Sequence, residues 1–128
     1  MKIRSLAGAA GMFAAVLLTA TGSAAGEKSM KLVMLGDSIT MGVNVPKEKA
    51  IPVLVQEALN REFKGRIRWT VVNEGVGSET SQGGLARIAG VLAKEKPDFV
   101  SIAYGLNDAR EKSAEWFDRQ LRLLVDTT

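Results

Sequence analysis

Three short apolar runs in this chain each stop at a turn rich in glycine and hydrogen-bonding side chains. Each is followed by a segment of helical spacing. The first run, Leu32-Val33-Met34-Leu35, is unbroken and closes on Gly36-Asp37-Ser38. An apolar run without alternation predicts a strand covered on both faces. Residues 67–72, with Ile67, Trp69, Val71 and Val72 apolar, predict a second strand, and residues 99–104 a third. Helices are predicted over 51–63, 81–94 and from near Ser113 onward. The order β-α-β-α-β-α implies an α/β domain with one parallel sheet and helices on both faces. Right-handed crossovers then place all three strand-to-helix loops on one rim of the sheet.

The helices carry their own start and stop signals. Pro52 fits a first helical turn, where its missing N–H costs nothing, and Gly65 and Pro97 close the first two segments. Helical spacing puts Ile51, Val55, Ala58, Leu59 and Phe63 inward on the first helix. Leu85, Ile88, Ala89 and Leu92 face inward on the second, and Trp116, Phe117, Leu121, Leu124 and Val125 on the last. Trp69, Trp116, Phe63 and Phe117 lie inside elements, so core packing is the expected role for them. The loops are expected at 42–46, at 73–80 and from Gly105 to Asp108.

With 128 residues, the chain is sized for a single domain. It has no cysteine, so disulfides, thiolate metal sites and cysteine nucleophiles are excluded within it. It has no histidine either. The net charge is +3, and no Lys/Arg cluster interleaves with aromatics, which argues against nucleic acid as a partner. Residues 1–25 read as a secretory signal peptide: Lys2 and Arg4, an apolar stretch over 6–20, then Ser23-Ala24-Ala25 before cleavage after Ala25 or Ala24. The apolar stretch is shorter than the ~20 residues of a spanning helix, although an uncleaved anchor is the competing reading. The folded domain is expected over 28–128, secreted or periplasmic, with no stable membrane anchor after cleavage.

The three loops offer different chemical resources. The first carries the Ser38 hydroxyl, a candidate nucleophile. The second carries a Gly75-Val76-Gly77-Ser78 turn, whose backbone N–H groups a ligand can approach closely. The third carries the Asn107 carboxamide, a side-chain donor. A hydroxyl beside convergent donors suits acyl transfer, where the donors stabilise the developing oxyanion. Plainer readings stand beside this one. Asp37 and Ser38 fit a simple helix cap. Glu74 and Glu79 fit solvated loop carboxylates, with Glu79 also suited to a helix N-terminus. Arg87 and Arg110 fit either an anionic substrate or a solvated helix face. Asp37 and Asp108 alone are weak metal ligands. No Gly-Lys-Ser/Thr occurs, so the loops are not a phosphate-binding P-loop. Nothing specifies a metal or an organic cofactor.

Gly36-Asp37-Ser38, then Asn73 with its glycine-containing turn, then Gly105-Leu106-Asn107-Asp108 resemble the first three sequence blocks of the GDSL, or SGNH, hydrolases. The stretch VVNEGVGSETSQGGLARI is similar to the second block and following helix of the family's bacterial thioesterase/lysophospholipase/arylesterase branch. Order and spacing match from about Lys31 to about Leu124. The resemblance implies a flavodoxin-like sheet, here truncated to about three strands, and ester hydrolysis through an acyl-serine. It implies Ser38 as nucleophile, with its own N–H in the oxyanion hole, and Asn107 as a further donor. The family's remaining donor is a glycine N–H at the position of Ser78, and Gly77 precedes it, so both are candidates. Asp37 is expected to orient the turn. The implied substrate is a small acyl ester, a lysophospholipid or an acetylated sugar. The family completes its triad with a late Asp-x-x-His block, which these 128 residues lack. A serine without a base is a poor nucleophile near neutral pH. The expectation is therefore an incomplete domain with weak or absent activity; the competing readings are a non-catalytic remnant or binding domain and a flavodoxin-like nucleotide binder.

Overall fold

A computed structural model of the protein describes residues 26–110 and 112–128; the expected signal peptide, 1–25, lies outside them. Three parallel strands form one sheet in the order β2-β1-β3. They are β1 Lys28–Gly36, β2 Ile67–Gly75 and β3 Phe99–Ala103. The helices are the short α1 Ser38–Met41, α2 Ile51–Glu62, α3 Ser81–Glu95 and α4 Ala114–Thr127. The expected α/β class, with parallel strands and helices, holds.

Side-chain alternation along β1 divides the two faces. Val33 and Leu35 point to one face and pack with Ile88 and Val91 of α3 and Leu124 of α4 as the fully buried core. Val72, Val100, Ile102 and Tyr104 close around that cluster. The opposite face meets α2 through Trp69, whose ring lies between Phe63 and Phe99 at centroid distances of 6.0 and 5.6 Å. The four expected core aromatics are half-buried rather than fully enclosed.

Several boundaries and orientations differ from expectation. β2 runs on through Gly75, because Asn73 serves as a strand-end residue: its Oδ1 accepts the Gly75 N–H and its Nδ2 donates to the Met41 carbonyl. The second loop is therefore only 76–80. Ile51 is 43% exposed and Ala58 is exposed, so the inner side of α2 is Pro52, Val55 and Leu59, flanked by Gln56 and Asn60. Gln56 and Asn60 satisfy backbone groups of β2, and that polar contact rotates the helix away from a purely apolar stripe. Val125 is 56% exposed, whereas Leu124 is fully buried. Among the described residues, no helix is long and apolar enough to cross a membrane.

Candidate active site

In-register pairing sets the three loops beside one another. Gly36 of β1 is level with Gly75 of β2 and with Ala103 of β3. Ser38 therefore lies two residues beyond that rung, Ser78 three and Asn107 four. A Val76 N–H bond to the Gly36 carbonyl, 3.0 Å, ties the first two loops together. Two glycines permit this closeness. A Cβ on Gly36 would overlap the Thr40 side chain and the Ala103 carbonyl, and one on Gly75 would overlap the Met41 backbone. The turn carrying Ser38 lies directly on the strand ends.

Asp37 is 3% exposed and caps α1, its Oδ1 accepting the Ile39 N–H at 2.9 Å. That bond satisfies one of the orphan donors of a helix start. Ser38, the first residue of α1, is half-buried. Gly42 ends the turn at φ 88°.

The second loop brings Gly77 and Ser78 to the same rim, both exposed. Their N–H groups have no backbone acceptor among the described residues. Ser78 stands at φ 61°, in the left-handed region. Serine there costs roughly 1–2 kcal/mol that a glycine avoids, so Ser78 keeps a glycine-type conformation without the glycine. The third loop brings Asn107, whose Nδ2 donates to the Glu79 carbonyl at 2.9 Å. One carboxamide hydrogen is thus engaged, and the second remains to donate. Next to it, Asp108 is 1% exposed and accepts from the Ser81 N–H, at 3.0 and 3.1 Å, and from the Ser81 hydroxyl. Asp108 thereby joins the third loop to the start of α3. Among the described residues no three carboxylates group as a metal site.

Glu74, Glu79 and Arg87 are not the solvated charges that their positions suggest. The Arg87 side chain is 23% exposed and the Glu79 side chain 10%. Arg87 Nε donates to both Glu79 oxygens, at 2.8 and 3.1 Å, and its two other nitrogens reach Glu79, Glu74 and Tyr104. The Tyr104 hydroxyl donates to Glu79 at 2.6 Å. Hydrogen bonding to Glu79 pushes the Arg87 pKa up, against some desolvation. Burial, and then the bond to Glu79, pushes the Tyr104 phenol up. One sequence signal for this cluster is the Gly83-Gly84 pair inside α3, which costs about 1 kcal/mol per glycine in a helix interior. A Cβ on Gly84 would overlap the Tyr104 ring, and one on Gly83 the Glu79 side chain.

Comparison with known proteins places the sequence and the fold. An arylesterase of Vibrio mimicus is 40% identical over 86 residues, covering 67% of this chain and 42% of that protein. Esterase TesA of Pseudomonas aeruginosa is 37% identical over 98 residues, covering 77% of this chain and 45% of TesA. The crystal structure of AlinE4, an SGNH-hydrolase family esterase, superposes with a TM-score of 0.70 at 26% identity, covering 77% of this chain and 52% of AlinE4. The chain thus spans about half the length of the relatives it matches. The GDSL-like lipase/acylhydrolase family model matches residues 34–128, a span that takes in all three loops of the rim, and the chain belongs to that family.

Proposed function

We propose that the protein is a carboxylic ester hydrolase working through an acyl-serine at Ser38. The observation that carries this is the rung Gly36–Gly75–Ala103, from which the three loops depart side by side. In the reaction the Ser38 Oγ attacks the ester carbonyl carbon and gives up its proton, which in the net step passes to the departing alkoxide oxygen. The carbonyl oxygen becomes an oxyanion held by backbone N–H groups of Ser38 and of Ser78 or Gly77, and by the free Asn107 Nδ2 hydrogen. Collapse expels the alcohol and leaves acyl-Ser38, which water then hydrolyses. Asp37 holds the turn at the angle attack requires. Removing one preorganised donor such as Asn107 lowers turnover by about 10²–10³-fold.

The proton acceptor is not a histidine of these 128 residues, since they contain none. Hydrolysis by these residues alone is therefore weak or absent. The substrate is a small acyl ester, with lysophospholipids and acetylated sugars as further candidates; the arylesterase and TesA relatives support the ester class. The amino-terminal 25 residues direct export, giving a secreted or periplasmic protein. A non-catalytic remnant that keeps the rim for binding is the second reading, favoured by the missing histidine.

Treatment with excess serine-reactive phosphonate, followed by peptide mass mapping, is expected to modify Ser38, slowly in the chain alone. Fusion to the remaining length of a full-length relative should accelerate modification, and Ser38→Ala should abolish it. No adduct at Ser38 in the fused protein would overturn the hydrolase reading.

A further inference from the structure

We propose that Arg87 is a positioning residue: its guanidinium, locked to Glu74, Glu79 and Tyr104, fixes both the turn bearing Gly77 and Ser78 and the carbonyl that holds Asn107. This rests on the reading of Asn107 and that turn as oxyanion donors.

The connections run through one residue. Glu79 directly follows Ser78, its carbonyl accepts from Asn107, and its carboxylate is the group that Arg87 and Tyr104 grip. Arg87 also donates to the Glu74 carbonyl at 2.6 Å and to its carboxylate at 2.9 Å, which anchors the assembly to the end of β2. A displacement of Glu79 therefore moves two candidate donors together. A planar fork with donors in fixed directions can hold two carboxylates and a carbonyl at once; a lysine ammonium cannot reproduce that geometry. Gly83 and Gly84 leave the space in which the Glu79 and Tyr104 side chains reach the arginine. A salt bridge serving only stability would not need to terminate on the residue that holds Asn107.

Amide spectra of ¹⁵N-labelled wild type, Arg87→Lys and Tyr104→Phe separate the two roles. In Arg87→Lys, the Asn107 side-chain N–H groups are expected to exchange with water about tenfold faster, the loss of one hydrogen bond of ordinary net strength. The amides of residues 77–79 shift with them, while those of Val33 and Leu35 in β1 stay in place. Tyr104→Phe gives the same pattern with smaller amplitude and guards against a misfolded lysine variant. Tyr104 is the only tyrosine, so tyrosinate absorbance reports on the cluster alone. Its midpoint should lie above the ordinary value of about 10, and Glu79→Gln should bring it down. Unchanged Asn107 signals in both variants, or shifts spread equally over β1, would overturn the proposal. In the fused protein, phosphonate modification of Ser38 that is slower with Arg87→Lys than without it supports the proposal, and equal measurable rates overturn it. No adduct at Ser38 in the protein fused to the remaining length of a relative, with the Asn107 shift intact, sinks the hydrolase reading and leaves the anchoring of Asn107 supported.

Discussion

The two edges of the sheet are finished in different ways. On β2, helix α2 supplies a substitute for a neighbouring strand. Asn60 accepts the Trp69 N–H at 2.8 Å and donates to the Trp69 carbonyl at 3.0 Å, and Gln56 accepts the Val71 N–H at 2.8 Å. Residues 56 and 60 are one helical turn apart, and Trp69 and Val71 are the alternate residues of the strand, so the two periods match. On β3, no described side chain bonds the outer backbone of residues 99–103. Phe99 is 50% exposed, and the buried Ser101 hydroxyl has no hydrogen-bond partner. Two side-chain amides thus occupy pairing groups of one strand edge, whereas an edge without them keeps its pairing groups available.

Removing the closure from β2 is the strongest way to break this contrast. Asn60→Ala leaves both backbone polar groups of Trp69 unpaired, and a loss of about 2–3 kcal/mol is expected in urea unfolding. A loss below about half a kcal/mol would mean that water serves the edge as well as Asn60 does. Gln56→Ala orphans only the Val71 N–H and should cost about 1–2 kcal/mol, measurable in the same titration. On the open side, Phe99→Lys gives up the ring contact with Trp69, for about 1 kcal/mol, and places a charge on the free strand. Sedimentation should then show less self-association than wild type at high concentration. Equal association in the two proteins would show that the β3 edge is not adhesive.

Much of this architecture could be read from residue order. The unbroken run at 32–35 and the turns after it reveal a parallel sheet with its loops on one rim, because burial on both faces leaves no polar alternation. Ser38, Asn107 and the Gly77-Ser78 turn are visible for the same reason: they follow strand ends directly. Arg87 was hidden because its partners lie 8, 13 and 17 residues away, at separations no helical rule connects. A helix arginine with no local partner reads as solvated until the fold delivers Glu79 and Tyr104 to it. Gln56 and Asn60 were hidden for a related reason, since polar residues on an amphipathic helix are assigned to water by pattern alone. Val125 turns outward because its neighbour Leu124 takes the core position on α4.

Thr40 is packed over Gly36, and Gly75 admits the Met41 backbone against the neighbouring strand. Ser38 is therefore carried by backbone seated on the sheet, with no independent hinge. On heating, such a hydroxyl keeps its aim until the strands themselves part, so reactivity at Ser38 and cooperative melting of the domain should disappear over one and the same temperature interval.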